Sequence, residues 1–237
     1  ELEAVGAQRI EREVDAADTG RLQLGCVLVE LAAVGGQRQL LEDAGLEWKD
    51  MQFGYGGSYS SGNADALGNE LGLTGMPFTN ILNACATGGS SLIAACKEIR
   101  SGAADVGIVV GFDKHDRGAF NADPSEYSLG AWYGEAGMML TTQFFAMKLQ
   151  KYMHDYGITS DALARVAAKA FENGALNPNA WRRTPIGLDE IKNSTMVNDP
   201  LTKYMFCSPS EGGVALVVCR EDIAHRYTKT PVFVSAA

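Results

Sequence analysis

Cys85 stands where an α/β enzyme would place a nucleophile. The short apolar pair Ile81-Leu82 comes before it, and a Gly-Gly-Ser-Ser run at 88–91 leads from it into a helical pattern. The N-terminus of a helix offers unpaired backbone N–H groups and a partial positive charge, which stabilise a thiolate and a developing oxyanion. Most free cysteines, however, are small buried hydrophobes. The spacing alone therefore leaves both interpretations of Cys85 open.

The remaining cysteines form no second catalytic or metal-binding pattern. The chain has five cysteines, an odd number, with no Cys-x-x-Cys pair and no histidine at a zinc-site spacing. This argues against a disulfide scaffold and against a structural zinc site, and it favours free thiols in a reducing compartment. Cys96 and Cys219 lie on apolar faces and are predicted to pack in the core.

The charge and composition narrow the class of protein further. With 20 lysines and arginines against 29 aspartates and glutamates, the net charge is −9, which argues against a nucleic-acid or anionic-membrane binder. No apolar run reaches the about 20 residues that a membrane span needs, and residues 1–12 lack an apolar signal core. We therefore expect a soluble, cytoplasmic protein. A hydrophobic fraction of 46% and 27 glycines are consistent with an α/β enzyme that has a real core.

The residues around Cys85 predict a strand–helix–strand unit. The strand at 81–82 runs into a helix that ends at Ser101-Gly102 and places four residues on its inner face: Leu92, Ala95, Cys96 and Ile99. Residues 106–111, Val-Gly-Ile-Val-Val-Gly, form the continuous apolar run that a buried parallel strand needs. Strand, helix and strand within about thirty residues indicate a βαβ unit.

The whole chain predicts an α/β fold with a mixed, mainly parallel five-stranded sheet flanked by helices. Other helices are expected at 22–44, with Gly45 as the C-cap, and at 63–71, 136–156 and 160–173. Other strands are expected at 51–55, 214–219 and 232–235.

The segment at 83–92, Asn-Ala-Cys-Ala-Thr-Gly-Gly-Ser-Ser-Leu, resembles the nucleophile segment of the thiolase superfamily, most closely its lipid-transfer-protein or sterol-carrier-protein-x branch. The surrounding segments follow the family's order. Gly-Phe-Asp-Lys at 111–114 resembles the family's Gly-Gly-Met-Glu turn. Ser-Glu-Gly-Gly-Val-Ala-Leu at 210–216 resembles the segment that leads into the last strand of its first half. The resemblance extends over nearly all of residues 22–237.

This resemblance implies a thiolase-like fold with an inserted domain. The N-terminal α/β core would comprise residues 1–112 and 210–237, and residues 113–209 would form a helical loop domain. The family's C-terminal half, with its activating histidine and second cysteine, is not represented in this sequence. The family's opening strand is not expected either, because residues 1–12 are too polar for it. The histidines of the chain occur outside the family's histidine motif: His115, His154 and His225.

The resemblance also implies a reaction. The chain would be an acyl-CoA C-acyltransferase that acts on a 3-ketoacyl-CoA, with a fatty or steroid side chain, through a thioester on Cys85. Coenzyme A is then a substrate, and no cofactor or metal is expected. Four residues are candidates for lining the acyl and pantetheine pocket: His115, Tyr127, Trp132 and Trp181.

Two other functions remain open at this point. A relative of the lipid-transfer type would cleave steroid-CoA side chains by retro-aldol chemistry, with a tyrosine such as Tyr127 or Tyr133 as general base. A non-catalytic thiolase-like protein would bind acyl-CoA or lipid without turnover. The resemblance implies several partners: a homodimer or larger assembly joined through the strand at 80–82, a small OB-fold protein, or a second polypeptide that supplies the other thiolase half.

Overall fold

A computed structural model describes residues 26–33, 41, 44–115, 123–207 and 210–236 of the chain. Eight strands lie within these residues: β1 (Cys26–Ala33), β2 (Gly54–Gly57), β3 (Phe78–Asn80), β4 (Val106–Lys114), β5 (Met196–Asn198), β6 (Leu201–Thr202), β7 (Glu211–Arg220) and β8 (Val232–Val234). Six of them form one sheet in the order β3-β2-β4-β7-β1-β8, and β5 pairs with β6 in a second, small sheet.

The large sheet is mixed, with most of its strands pointing the same way. β2 pairs in parallel with β3 and with β4, whereas β7 is antiparallel to both β4 and β1. β8 is antiparallel to β1. Strands β1 to β4 therefore run in one direction and β7 and β8 in the other. The predicted α/β fold and mainly parallel sheet are confirmed, although the sheet has six strands rather than five.

Six α-helices connect or cover these strands in the described residues: α1 (Leu67–Leu71), α2 (Thr87–Arg100), α3 (Trp132–Glu135), α4 (Thr141–Tyr156), α5 (Ser160–Leu176) and α6 (Leu188–Asn193). The helices predicted at 136–156 and 160–173 correspond to α4 and α5. The helix predicted at 63–71 is a 3₁₀ turn, Ala64–Ala66, followed by the short α1. No helix in the described ranges is both long and apolar enough to cross a lipid bilayer.

The helix predicted over 22–44 is wrong for its central part, because β1 is a strand. β1 lies between two antiparallel partners, with Val27 opposite Cys219 in β7 and opposite Phe233 in β8. Its sequence, Cys-Val-Leu-Val-Glu-Leu-Ala-Ala, is a nearly continuous apolar run, which periodicity alone cannot separate from a helix. Residues 1–12, for which no opening strand was expected, lie outside the described part of the chain.

The end of that predicted helix is confirmed at Gly45. The backbone N–H of Leu46 donates to the carbonyl oxygen of Leu41 over 2.8 Å, and Gly45 adopts a left-handed conformation with φ 65°. This is the arrangement of a helix C-terminus closed by glycine. Residues 34–40, 42 and 43 of the predicted helix lie outside the described part of the chain.

Two predicted strands are present with shifted ends, and a third is displaced. The strand expected at 51–55 is β2, whereas the strand expected at 81–82 is wrong for those residues, because β3 ends at Asn80 just before them. The strand expected at 106–111 continues to Lys114 as β4, because β7 pairs with it to the end, with Asp113 opposite Gly212. Gly-Phe-Asp-Lys is therefore not a turn, as the resemblance had implied, but the last part of a strand.

The core lies on both faces of the βαβ unit. On one face Val109 and Val218 pack against the inner side of α2, where Ala95, Cys96 and Ile99 are fully buried. On the other face the core cluster contains residues of β4, β7 and the segments before β2: Ile108, Val110, Val217, Cys219, Leu41 and Met51. The predicted packing of Cys96 and Cys219 is confirmed. Burying a side chain such as Ile99 contributes about 1.5–3 kcal/mol.

Residues 123–207 lie between β4 and β7 in the chain and have a small core of their own. Ala164 and Ala168 of α5 pack against Ile191 of α6, with the ring of Phe171 edge-on to Tyr204 at 5.9 Å. All six strands of the large sheet come from the residues before and after this region. The division into an α/β core and a loop domain stays a prediction.

Candidate active site

Cys85 lies in a 3₁₀ turn, Ala84–Ala86, between the end of β3 and the first residue of α2. Its thiol is exposed. Ala84, the residue before it, has φ 45°, a left-handed conformation that costs a residue other than glycine about 1–3 kcal/mol. Such strain persists only where the surrounding structure holds it.

Thr87 makes two hydrogen bonds to the backbone at the start of the turn Ala84–Ala86, called the cysteine turn below. Its hydroxyl Oγ1 accepts a hydrogen bond from the backbone N–H of Asn83 over 2.9 Å and donates one to the carbonyl oxygen of Ala84 over 2.8 Å. The side-chain amide of Asn83 in turn donates to Ser90 Oγ over 2.8 Å. The threonine and serine of the 83–92 segment therefore hold the backbone on the N-terminal side of Cys85.

The end of β2 packs directly against this turn. The carbonyl oxygen of Gly56 accepts from the N–H of Ile81 over 2.7 Å. A Cβ atom on Gly57 would lie 2.0 Å from the carbonyl oxygen of Ile81 and 2.5 Å from Cγ2 of Thr87. Only glycine leaves room for this approach. The β2 end and the cysteine turn are thus in van der Waals contact without any side chain between them.

A carboxylate at the end of β4 anchors the loop that follows β2. Asp113 accepts hydrogen bonds from the backbone N–H groups of Tyr59 and Ser60, each over 2.9 Å. The hydroxyls of Ser58 and Ser61 donate to the same carboxylate over 3.4 and 3.3 Å. Because β2, β3 and β4 are parallel, their carboxyl ends meet at one edge of the sheet, which is where α/β proteins place their ligand sites.

The hydrogen bonds to Asp113 control its charge. Burial raises the pKa of this carboxyl, but hydrogen bonds from the backbone N–H groups of Ser60, Tyr59 and Lys114, together with nearby His115, more than offset it. The pKa of Asp113 is therefore below its ordinary value, and the group is a carboxylate at neutral pH. Sequence analysis missed this role because Asp113 was expected in a turn; a carboxylate at the end of an apolar strand was the available signal.

Of the predicted pocket residues, Trp181 lines a cavity that His115 and Trp132 do not line. His115 directly follows the carboxyl end of β4. Its Nδ1 is 3.3 Å from Ser60 Oγ, and its Nε2 is 3.6 Å from Asp113. Trp181 lines a cavity of about 690 Å³ between α4, α5 and residues 201–207. Trp132 is not among the residues that line this cavity, and its ring packs on Tyr133 at 4.1 Å. The side chain of Tyr127 lies outside the described part of the structure.

The cavity beside Trp181 is apolar with one cation at its wall. The guanidinium of Arg182 stacks over the Trp181 ring at 4.8 Å and over Phe171 at 5.8 Å. The thiol of Cys207 also lines this cavity and is exposed. Such a wall suits a ligand with an apolar chain and an anionic group.

The two exposed cysteines differ from the two buried ones. Cys96 and Cys219 have no accessible surface. Burial and, secondarily, the carboxylate of Asp222 raise the pKa of Cys219 to about 12, so this thiol stays protonated and inert. Cys85 and Cys207 are exposed. Within the described ranges no group of three or more metal-ligating side chains is arranged to hold a metal ion.

Residues 37–203 match the family model of the thiolase N-terminal domain. The chain belongs to the thiolase family. This thiolase-family chain is 34% identical over 209 residues to an acetyl-CoA acetyltransferase of Methanothermobacter thermautotrophicus, covering 83% of the chain and 53% of that protein. It is 28% identical over 236 residues to the benzoylsuccinyl-CoA thiolase subunit BbsB of Thauera aromatica, covering 97% of the chain and 61% of that subunit.

Two further comparisons place the thiolase-family chain near the branch that the 83–92 segment had indicated. It is 30% identical over 214 residues to sterol carrier protein 2 of Gallus gallus, covering 85% of the chain and 39% of that protein. A solved structure described as an Ltp2-ChsH2(DUF35) aldolase superposes with a TM-score of 0.73 at 25% identity, covering 89% of this chain and 59% of that chain. The chain thus spans about half the length of the relatives it matches.

Proposed function

We propose that this chain is the nucleophile-bearing part of a thiolase-type acyltransferase, with Cys85 as the nucleophile and a 3-ketoacyl-CoA as the substrate. The observation that carries the proposal is the exposed thiol at the start of α2, next to the strained Ala84. The N-terminus of α2 lies at this thiol, and the positive end of the helix dipole favours a developing oxyanion there. Relatives named acetyl-CoA acetyltransferase and benzoylsuccinyl-CoA thiolase support this reaction class.

The proposed reaction has two half-reactions that share one covalent intermediate. The thiolate of Cys85 attacks the C3 carbonyl carbon of the substrate and forms a C–S bond. The C2–C3 bond then breaks, and its electron pair remains on C2 as the enolate of a short acyl-CoA, which takes up a proton and leaves. The thiol of a second coenzyme A, after losing its proton, attacks the thioester and expels the Cys85 thiolate. This is ping-pong chemistry with coenzyme A as a substrate.

The proposal requires a general base and a partner surface. The edge strand β3 is the proposed dimer contact, since it has a neighbour on one side only and Leu82 just beyond it is 70% exposed. A further thiolase segment, or a second polypeptide as the word subunit in the name of BbsB suggests, would supply the base. An OB-fold protein remains a proposed additional partner.

Covalent capture tests the proposed function. The chain, isolated in its native assembly, is mixed with a 3-ketoacyl-CoA and analysed by intact-mass and peptide mass spectrometry. We expect an acyl adduct on Cys85, none in Cys85→Ala, and an unchanged adduct in the matched variant Cys207→Ala, which removes the other exposed thiol. An adduct that persists in Cys85→Ala would contradict the assignment.

A retro-aldolase is the second candidate, favoured by the structural likeness to the Ltp2-ChsH2(DUF35) aldolase. In that reaction a base removes the proton of a hydroxyl on C3 of the substrate, and the C2–C3 bond breaks. Its electron pair remains on C2 as the enolate of the acyl-CoA, which takes up a proton, and a ketone leaves without forming a thioester on the protein. The products separate the two candidates. Cleavage that needs free coenzyme A supports the thiolase, whereas release of a ketone without coenzyme A and with Cys85→Ala still active supports the aldolase.

A further inference from the structure

We propose that Asp113 is a positioning residue that fixes the loop 58–61 against the turn carrying Cys85. The reactivity part of this inference rests on the proposed function, since it takes Cys85 as the nucleophile. The structural part rests only on the hydrogen bonds at the carboxyl end of β4.

The first step is the wrapping of the loop around the carboxylate. Oδ2 of Asp113 accepts from the N–H of Tyr59, and Oδ1 accepts from the N–H of Ser60, both over 2.9 Å. Oδ1 also accepts the Ser58 and Ser61 hydroxyls, which gives every residue of the loop a contact with the same carboxylate. Hydrogen bonds to a charged acceptor are stronger than neutral ones. One side chain of β4 therefore determines the path of the whole loop.

The second step is the contact between the loop and the cysteine turn. Gly57 immediately precedes the loop. The position that a Cβ atom would take on Gly57 is occupied by the carbonyl oxygen of Ile81 and the methyl group of Thr87. Thr87 binds the backbone at Asn83 and Ala84. A displacement of the loop at Ser58 is thus passed through Gly57 to the residue that holds Ala84. The chain of contacts links Asp113 to the left-handed residue beside the nucleophile.

The surrounding charges do not account for the position of Asp113. Lys114, its neighbour, forms its ion pair with Glu211 at 3.4 Å. The ring of His115 is 3.6 Å from the carboxylate, which is beyond a good hydrogen bond. The loop donors are the strong partners of Asp113, so its replacement acts first on the loop rather than on a surface ion pair.

An asparagine at this position cannot reproduce the arrangement. If its carbonyl oxygen took the place of Oδ1, its NH₂ group would face the N–H of Tyr59, and two donors would oppose each other. Asp113→Asn therefore keeps the size of the side chain while it removes the hydrogen bond from the N–H of Tyr59. Asp105→Asn is the matched control, because Asp105 stands at the opposite end of β4 and binds Arg220.

The experiment compares these two variants in the native assembly by hydrogen exchange and by alkylation with iodoacetamide. For Asp113→Asn we expect exchange at the Tyr59 and Ser60 amides to accelerate by about tenfold. We also expect the alkylation rate of Cys85, relative to that of Cys207 in the same sample, to fall by about threefold or more. Asp105→Asn should change neither quantity. In an enzyme assay kcat should fall more than KM rises.

A second variant guards against misfolding of the first. Ser61→Ala removes one donor to the Asp113 carboxylate without touching β4, and a smaller change in the same direction is expected. Faster loop exchange with unchanged Cys85 alkylation would overturn the proposal, as would unchanged loop exchange in Asp113→Asn. Failure of the proposed function is separate: the chain would then form no acyl adduct, while the exchange and alkylation results would still decide the role of Asp113.

Discussion

The hydroxyl of Thr87 donates to the carbonyl oxygen of Ala84 over 2.8 Å, so the first residue of α2 holds the strained residue that precedes Cys85. The nucleophile turn is therefore fixed by a side chain from the helix it leads into. This arrangement makes the hydroxyl, rather than the shape of the side chain, the critical feature at position 87.

Thr87→Val tests that hydroxyl while it keeps the branched shape. The variant removes the hydroxyl partner of the exposed N–H of Asn83, whereas the carbonyl oxygen of Ala84 keeps the backbone N–H of residue 87. We therefore expect the free energy of unfolding to fall by about 0.5–1.5 kcal/mol. Acylation of Cys85 should slow by about tenfold. Thr87→Ser, which retains the hydroxyl, is the control, and equal losses in both variants would contradict the hydrogen-bond explanation. Urea denaturation and single-turnover acylation provide the two measurements.

Gly57→Ala should disturb the contact between β2 and the cysteine turn. The added Cβ would lie 2.0 Å from a backbone oxygen, which cannot rotate away, so we expect a loss of about 1–3 kcal/mol in the free energy of unfolding. Gly88→Ala is the contrasting variant, because a Cβ there meets no atom within 4 Å. In the first turn of α2 it should stabilise the chain by about 0.5–1 kcal/mol. Thermal or urea unfolding distinguishes the two outcomes.

Asp113 should contribute to acid sensitivity with a defined sign. Its pKa in the folded chain lies below the ordinary 3.8, so the folded state binds its proton less readily than the unfolded state does. The stabilisation is fully present above about pH 4 and is lost as the pH falls through the lower, folded-state pKa. The stability difference between the parent chain and Asp113→Asn should therefore shrink below pH 4. A constant difference in urea unfolding across that range would contradict this assignment.

The four described thiols should react with iodoacetamide in two groups. Cys85 and Cys207 are exposed, whereas Cys96 and Cys219 are buried and the pKa of Cys219 is raised to about 12. At about pH 8 the native chain should be alkylated at the exposed pair first, and the buried pair should react only after unfolding in urea. Peptide mass spectrometry at successive times gives the order. Early labelling of Cys219 would show that the strands around it open readily.

Trp181→Ala tests whether the cavity between α4, α5 and residues 201–207 holds the acyl chain, as the sequence-based expectation for Trp181 requires. Removing a large ring from the wall of the 690 Å³ cavity should weaken acyl-CoA binding by about tenfold, because truncated aromatic side chains at binding sites have effects of this size. Trp132→Ala removes an equally large ring that packs on Tyr133 and does not line the cavity. Isothermal titration with a non-hydrolysable acyl-CoA compares them, and equal losses in both variants would argue against the cavity.

The sequence predicted those parts of the fold whose signal is local. α2 was recognised because Ala95, Cys96 and Ile99 recur at helical spacing and are buried together. β4 was recognised because 106–111 is a continuous apolar run. The helix predicted over β1 is wrong because its sequence, Cys-Val-Leu-Val-Glu-Leu-Ala-Ala, lacks the alternation that identifies a half-exposed strand. Its partners, β7 and β8, lie far along the chain, so no local pattern could reveal them.

The same distinction between local signals and long-range contacts applies to the candidate site. The position of Cys85 before a helix could be predicted, since turn and helix signals adjoin in the sequence. The anchoring of the loop by Asp113 could not, because 52 to 55 positions separate the carboxylate from its donors. The close approach of Gly57 to Thr87 was hidden for the same reason. Contacts of this kind depend on the register of β2, β3 and β4, which only the folded sheet defines.

The position of β1 in the sheet has a consequence for synthesis of the chain. Its strand neighbours are β7 and β8, and the ribosome delivers these long after β1 has emerged. Throughout that interval β1 would be an apolar segment of the nascent chain with both strand edges unpaired. Chaperones can bind such a segment, and other molecules can pair with it. The sheet is therefore completed late, when β7 inserts between β4 and β1. Contacts between such distant segments make folding slow.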